Sequence, residues 1–198
     1  MSQESSAAHH PSDVRRWAIL AVSTWAQASS SVAINGPAFL IPAMKRDLGL
    51  SLTEAASMAA LAIAGVLIML IPWGLFVDLW GERRVLLVGV LGTAGASAAA
   101  AAVESVWALG LALFAMGAFG ASTSAASGRV VIGWFPAHRR GLAMGIRQMA
   151  QPLGVAVGAI TMASIAHRWG LGAALWVPTA ASLTALVCVF VLVVDPPR

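Results

Sequence analysis

A short group of charged residues interrupts an apolar sequence at "GLFVDLWGERRVLL", residues 74–87. Four charges fall within seven positions, namely Asp78, Glu82, Arg83 and Arg84. Apolar runs lie on both sides, and a helix that crosses the hydrocarbon core of a bilayer needs about 20 mostly apolar residues. The stretch therefore predicts a tight polar turn between two membrane-spanning helices. Gly81 allows the sharp turn because it lacks a Cβ atom.

The overall composition indicates a membrane protein. Of the 198 residues, 59% are hydrophobic and only 10% are charged, whereas a soluble domain carries about 25% charged residues. A water-soluble fold of this length could not cover so much apolar side chain. The net charge is only +4, and the basic residues form scattered pairs, whereas a nucleic-acid-binding protein concentrates them on one face. We therefore expect a lipid bilayer as the surroundings and no nucleic-acid partner.

The predicted fold is an all-α membrane protein with six transmembrane helices in one domain, residues 17–194. Polar residues 1–16 are expected to form a disordered tail, and 195–198 a short end. Short connections separate six apolar runs, at 17–41, 54–77, 85–103, 107–132, 141–165 and 172–194.

The distribution of basic residues predicts the orientation. Six crossings place both ends on one side, and loops on the cytoplasmic side carry an excess of Lys and Arg. With both ends inside, seven basic residues lie inside: Arg15, Arg16, Arg83, Arg84, Arg139, Arg140 and Arg198. Three lie outside: Lys45, Arg46 and Arg168. The sequence therefore predicts a multi-pass plasma-membrane protein with both termini cytoplasmic.

A short internal sequence repeat suggests that the six helices form two related triplets. "PAMKR", residues 42–46, follows the first predicted helix, and "PAHRR", residues 136–140, follows the fourth. One segment lies outside and the other inside, so the triplets would be inverted copies. Inverted repeats of this kind are common in secondary transporters.

The stretch "GLFVDLWGERR" resembles the cytoplasmic signature of the major facilitator superfamily, which is Gly, three residues, Asp, a basic residue, any residue, Gly and then basic residues. Gly74, Asp78, Gly81, Arg83 and Arg84 fit this pattern, while Leu79 and Glu82 stand where basic residues are commoner. "FLIPAMKRDLGLSLTEAA" and "GWFPAHRRGLAMGI" resemble the superfamily's passages from the first helix to the second and from the fourth to the fifth. The resemblance covers about residues 17–194 and corresponds to the N-terminal six-helix half of a transporter.

The resemblance implies a secondary active transporter that moves a small solute by alternating access, without a cofactor. A second six-helix half would complete it, from the same or a separate chain. The signature residues would form a charge latch where the halves meet, with Asp78 interacting with a helix dipole of the other half. Such an interaction contributes about 0.3–1 kcal/mol. The predicted latch residues are Gly74, Asp78, Gly81, Arg83, Arg84 and Arg129.

Two arginines, Arg129 and Arg147, fall inside predicted helices. An arginine at the centre of a bilayer costs about 2.5–3.5 kcal/mol on insertion scales, so each should face protein or a cavity. Arg129 could instead extend to the lipid headgroups or pair with Asp78. Arg147 and Gln151 share one helix face because they are four residues apart. If Arg147 contacts substrate, an anion is the natural partner of its guanidinium.

Polar residues on the first helix complete the candidate substrate site. Gln27, Ser31 and Asn35 recur every four residues, and Pro37 should weaken the helix near Asn35 because proline lacks an N–H group. We predict that these residues, with Arg147 and Gln151, bind a small solute, with an organic or inorganic anion favoured. The same side chains could instead form hydrogen bonds between helices. The small residues at 122–128 and 154–158 predict close helix packing and not ligand binding.

Two other functional classes are alternatives to a transporter. A non-transporting membrane scaffold or regulatory half would need the same helices, so the sequence leaves this alternative open. A membrane-embedded enzyme is disfavoured because the histidines lie in tails or loops, at His9, His10, His138 and His167. We accordingly predict no enzymatic activity, no cofactor and no metal site. A truncated product, one half from a split gene and a self-assembling half are all compatible with the sequence.

Overall fold

The computed structural model of the chain describes residues 13–193, including all of their side chains except those of residues 13 and 129–132. The predicted tail 1–16 therefore lies largely outside the described residues, and the end 195–198 entirely so. The described residues form seven α-helices: α1 (Asp13–Phe39), α2 (Ile41–Leu48), α3 (Leu52–Trp80), α4 (Glu82–Ala102), α5 (Val106–Trp134), α6 (Ala137–Gln148) and α7 (Ala150–Leu192).

These helices make six crossings, as the sequence predicts. Four stretches of the described chain are long and apolar enough to span a membrane: Leu52–Trp80, Glu82–Ala102, Val106–Gly128 and Ala137–Leu192. The fourth has 56 residues, about 84 Å of helix, against a hydrocarbon core of about 30 Å. Its chain direction changes at Gly170, so it supplies the fifth and sixth crossings. The first crossing is α1, whose polar residues lower its hydropathy.

Several predicted boundaries need correction. The described part of the first helix starts at Asp13, four residues before the predicted apolar run 17–41. It continues through Pro37 and breaks at Leu40, so the interruption expected beside Asn35 lies five residues further along. The fifth crossing is divided at Met149, whose N–H reaches the carbonyls of both Gly145 and Ile146 at 3.2 Å. Met149 has helical φ and ψ angles, so α6 and α7 follow one another with little change of direction.

The two triplets turn between their second and third helices in the same way. Gly81 joins α3 to α4 with φ 84° and ψ 163°, and Gly170 divides α7 with φ 85° and ψ 176°. Both values of φ lie where only glycine is unstrained, which confirms the turn predicted at Gly81. A tryptophan precedes each glycine, at Trp80 and Trp169.

The triplets also use glycine in equivalent places to pack against each other. Gly65 and Gly154 lie sixteen residues before Gly81 and Gly170 respectively. A Cβ atom at Gly65 would lie 2.1 Å from the carbonyl oxygen of Phe114 on α5, and one at Gly154 would lie 2.4 Å from that of Ala28 on α1. The second helix of each triplet thus packs on the first helix of the other. The fold is a 3+3 inverted repeat, and close packing is confirmed at Gly154.

Aromatic contacts fix the start of α1 beside the turn between α5 and α6. The rings of Trp17 and Phe135 meet edge to face with centroids 5.2 Å apart. The guanidinium of Arg15 lies 5.8 Å from the centre of the Trp134 ring. The start of α1 therefore shares one side of the molecule with the α5–α6 turn, as the six-crossing topology requires.

On the opposite side, two residues of α2 hold the turn at Gly170. Asp47 Oδ2 accepts the N–H of Leu171 at 2.9 Å, and Arg46 Nη2 donates to the carbonyl of Ala166 at 2.7 Å. Helix ends leave N–H and carbonyl groups without partners inside the helix, and this pair satisfies one on each side of Gly170. The pair is also joined by a bond of 2.7 Å between Arg46 Nε and Asp47 Oδ1. We call Arg46 and Asp47 the α2 clasp.

Replacing Asp47 tests the clasp. Asp47→Asn should destabilise the chain by about 1 kcal/mol, because a neutral amide makes weaker hydrogen bonds with Arg46 and with the Leu171 N–H than a carboxylate does. The hydrogen bond from Arg46, assisted by the N–H of Leu171, holds the pKa of Asp47 below its ordinary value. A depressed pKa adds stability above the unfolded value, about 3.9, which is lost as the pH falls through the lower folded value.

Thermal unfolding in detergent at pH 7 and at pH 3 measures both effects. Glu104→Gln is the matched control, because Glu104 is exposed and, together with Asp47, lines a cavity of about 250 Å³ without capping the helix after Gly170. Equal melting temperatures for Asp47→Asn and Glu104→Gln at pH 7 would contradict the capping role.

Candidate functional site

The guanidinium of Arg147 lies in a network of polar groups contributed by α1, α5 and α6. Arg147 Nε donates to the hydroxyl of Ser127 at 2.9 Å, and Nη2 donates to the carbonyl of Ser124 at 3.3 Å. Nη1 donates to Oε1 of Gln148 at 3.2 Å and lies 3.7 Å from the sulfur of Met144. The side chain of Arg147 is half-buried, so these bonds replace water for most of its donors.

The network continues from Ser127 to α1. Its hydroxyl donates to Oε1 of Gln27 at 3.1 Å, while Nε2 of Gln27 donates to the hydroxyl of Ser124 at 3.2 Å. The Ser127 hydroxyl also lies very close to the carbonyl of Thr123. Because a hydroxyl carries one hydrogen, it can donate to Gln27 or to Thr123 at one time while it accepts from Arg147. Ser127 therefore links the two predicted site residues Gln27 and Arg147.

A second polar cluster joins α1 to α7. The hydroxyl of Ser31 donates to the main-chain carbonyl of Gln151 at 2.9 Å. Nδ2 of Asn35 donates to the carbonyl of Ser31 at 3.0 Å and lies 3.4 Å from the Ser31 hydroxyl. The close approach of α1 and α7 at Gly154 brings Ser31 near enough to reach the main chain of Gln151.

The five predicted substrate residues thus fall into two clusters. Gln27 and Arg147 belong to one, and Ser31, Asn35 and the backbone of Gln151 belong to the other. The expected stripe of Arg147 and Gln151 side chains is not formed, because Gln148 occupies the place beside the guanidinium and the Gln151 side chain is exposed.

Sequence reasoning missed Ser124 and Ser127, because residues 122–128 were read only as a packing surface. A signal was present, since two hydroxyls three residues apart lie on one helix face. The polar residues of α1 have the same kind of spacing. When two helices of an apolar bundle each carry a polar face, the pattern predicts that the two polar faces contact each other.

The predicted latch residues lie around the turn between α3 and α4. Gly81 forms the turn, and Asp78 and Arg84 have exposed side chains. Nη2 of Arg83 donates to the carbonyl of Phe190 near the end of α7 at 3.1 Å. A Cβ atom at Gly74 would meet no described atom within 4 Å, so nothing in this part of the chain requires glycine there. The side chain of Arg129 lies outside the described residues.

A family model for the Major Facilitator Superfamily matches residues 24–198. The chain belongs to the Major Facilitator Superfamily. The match covers most of the chain. It includes the signature that begins at Gly74 and both triplets of the inverted repeat. This is a family of transporters and not of enzymes.

Curated relatives of this facilitator chain are uncharacterized MFS-type transporters. Two of them, from the CDC 1551 and H37Rv strains of Mycobacterium tuberculosis, are each 44% identical over 183 residues. The match covers 92% of this chain and 41% of each relative. The chain therefore spans about two fifths of the length of the curated relatives it matches.

Solved transporters share the fold at low sequence identity. The peptide transporter POT, crystallised with sulfate, superimposes with a TM-score of 0.77 at 16% identity, over 86% of this chain and 37% of that chain. The inward-open xylose transporter XylE from E. coli gives 0.73 at 17% identity, over 92% of this chain and 49% of that one. These similarities support one half of a major facilitator fold.

Removing the bridging hydroxyl tests the network in this facilitator half. Ser127→Ala takes away the acceptor of Arg147 Nε and a donor to Gln27, and leaves both groups without that partner inside the bundle. Side-chain hydrogen bonds inside membrane proteins contribute about 0.6 kcal/mol on average and up to about 1.7 kcal/mol. We expect a melting temperature in detergent below that of the wild type. Ser164→Ala is the control, since Ser164 is exposed and bonds only to Ile160 of its own helix. Equal melting temperatures for the two variants would contradict the bridge.

Proposed function

We propose that this chain is one half of a secondary active transporter that moves a small solute across the plasma membrane by alternating access. The solute site would be centred on Arg147 and Gln27, with Ser31 and Asn35 and the main chain of Gln151 forming its other end. The single observation that carries the proposal is the half-buried guanidinium of Arg147, linked through Ser127 to Gln27 on another helix.

The charge of this site favours an anionic solute. The partners that the structure describes for Arg147 are a hydroxyl, a carbonyl, an amide and a thioether, all of them neutral. The positive charge is therefore solvated by dipoles but not neutralised by them. A carboxylate or phosphate would supply the missing countercharge, and its oxygens would replace neutral acceptors such as Oε1 of Gln148 as partners of the guanidinium. An organic or inorganic anion is thus the favoured cargo.

A second six-helix half would enclose this site. Large apolar side chains are exposed on α3 and on the first part of α7, including Leu67, Ile71 and Ile160. Gly74 on α3 and Gly141 and Gly145 on α6 have space where a Cβ atom would be, as a helix that packs closely from outside would require. We propose that the same or a separate chain supplies that half.

The signature turn would then act as a latch between the halves. Its carboxylate, Asp78, is exposed, and the proposed latch is an interaction of this carboxylate with the N-terminus of a helix in the second half. Arg83 is fixed to α7 through the carbonyl of Phe190, so movement of α4 and α7 would be transmitted to the turn. The excess of basic residues supports a cytoplasmic location for this turn and for both termini. Labelling of a cysteine beside Arg139 by an impermeant reagent from outside would contradict that orientation.

A non-transporting scaffold or regulatory half remains the second candidate. One observation favours it, since Nε and Nη2 of Arg147 already donate to α5 and so serve helix packing. The two functions differ in one measurable respect, which is whether an assembled, reconstituted protein moves a solute.

Replacing Arg147 tests the solute site. In an assembled and active form, Arg147→Gln should raise the half-saturating concentration for an anionic solute by about tenfold or more, because a hydrogen bond to a charged group contributes about 1.5–3 kcal/mol. Arg147→Lys keeps the charge but not the planar donors, so its half-saturating concentration should lie between those of the wild type and of Arg147→Gln. Liposome flux measures this, with Arg168→Gln as the control that removes an exposed arginine near Gly170. Unchanged anion flux in Arg147→Gln would rule out the assignment.

Replacing Asp78 tests the latch. Asp78→Asn should slow transport while the amount of protein in the membrane stays nearly constant, because the side chain is exposed and the proposed role of its carboxylate is to bias the conformational equilibrium. Glu82→Gln removes a neighbouring carboxylate that does not belong to the signature and serves as the control. Transport at the wild-type rate in Asp78→Asn would reduce the signature to a simple turn.

A further inference from the structure

An apolar groove of about 420 Å³ runs between α4 and the last turns of α7. Six side chains line it: Leu87, Val88, Leu91, Leu186, Val187 and Phe190. Neither polar cluster includes any residue of α4 or of α7 after Gly170, so the groove is separate from the proposed solute site. Phe190, Val187 and Leu91 are each more than half exposed, and the groove is therefore open along its length.

Arginine stands at one end of this groove. The guanidinium of Arg83 donates to the carbonyl of Phe190, which holds it on the α7 side of the turn, over the groove. Arg84 follows with an exposed side chain. The lining residues Leu87 and Leu91 come four and eight positions after Arg83, which places them about 6 and 12 Å further along the helix axis.

This order of charge and apolar surface matches an anionic phospholipid, in which the phosphate lies at the membrane surface and the acyl chains extend below it. We propose that the groove binds an acyl chain of an anionic phospholipid whose phosphate pairs with Arg83 and Arg84. The planar guanidinium group suits a phosphate because it can donate two parallel hydrogen bonds. Basic sites between transmembrane helices on the cytoplasmic side are known to suit such headgroups, and the proposed orientation puts this end of the groove there.

A protein helix fits the groove less well than a lipid. It would cover the apolar lining, but its apolar face would also lie beside Arg83 and Arg84, and charge next to an apolar surface in a membrane is costly. The second half is expected on the other helices, where the polar network and the open glycines lie. The phospholipid is therefore the one occupant that satisfies both parts of the groove.

Native mass spectrometry of the full 198-residue chain tests the proposal. The chain is released from mixed micelles that contain phosphatidylglycerol or phosphatidylcholine with identical acyl chains. Two variants test the two parts of the site independently. Arg83→Gln/Arg84→Gln removes the charge, and Val88→Trp fills the groove. Arg139→Gln/Arg140→Gln and Leu111→Trp are the matched controls. They remove the same charge from another turn on the same side and add the same ring at an exposed position of α5.

We expect phosphatidylglycerol to be retained in preference to phosphatidylcholine. The two arginines together should strengthen retention about thirtyfold, and Val88→Trp should reduce it to the level of the charge variant, while both controls retain the lipid like the wild type. Glycerol phosphate, which has the headgroup charge without acyl chains, should not compete. Circular dichroism verifies that each variant is folded. Three results would overturn the proposal: full retention in Val88→Trp, equal loss in Arg139→Gln/Arg140→Gln, or competition by glycerol phosphate.

Discussion

A guanidinium inside an apolar helical bundle must have its N–H donors paired, and the centre of this structure follows from that requirement. Arg147 cannot be left facing lipid without a cost of several kcal/mol by the higher estimates. The Ser127 hydroxyl and the Ser124 carbonyl on α5, with the side chain of Gln148, meet the requirement, and Ser127 continues the network to Gln27 on α1. The first and fourth crossings are therefore tied to the fifth by polar bonds, within a membrane where apolar burial between helices contributes little. The same bonds leave the positive charge without a described countercharge, which is the property that a carrier of anions would use.

Close helix packing makes these polar bonds possible. Gly154 lets α7 approach the main chain of α1, and Gly65 lets α3 approach α5 in the same manner. The positive φ angles of Gly81 and Gly170 then return each triplet across the membrane. The repeat is not perfect where the loops meet these turns. Asp47 caps the helix after Gly170, whereas Gly141 stands at the equivalent place after "PAHRR" and has no carboxylate to offer.

Much of the fold could be predicted because bilayer thickness and hydrophobicity act locally on the sequence. The six crossings and the turn at Gly81 follow from runs of apolar residues and from one glycine between charges. The interruption of the first helix was predicted beside Asn35, whereas the helix breaks at Leu40, because tertiary packing of α1 carries the helix past Pro37. The gap between the predicted runs 141–165 and 172–194 contains the turn at Gly170. The glycine itself was not singled out, although Trp169 and Gly170 repeat the pair at Trp80 and Gly81.

The site was harder to predict than the fold, since its geometry depends on contacts between distant segments. Spacing along one helix selected Gln27, Ser31 and Asn35. It could not show that Gln27 bonds to Ser124 and Ser127 on α5, that Ser31 bonds to α7, and that Asn35 bonds back to Ser31. It also paired Arg147 with Gln151, whereas the local backbone at Met149 leaves Gln148 as the neighbour. The α2 clasp had no signal along a single helix, because Asp47 and Leu171 are 124 residues apart.

The central claim is that this chain builds one side of an anion site that a second six-helix half must close. Reconstitution in liposomes, with crosslinking to read the assembly state of the same sample, tests it most directly. Anion flux is predicted only for samples in which the chain is joined to a second half, whether a copy of itself or a partner chain. Solute flux from a chain shown to be a monomer would contradict the account.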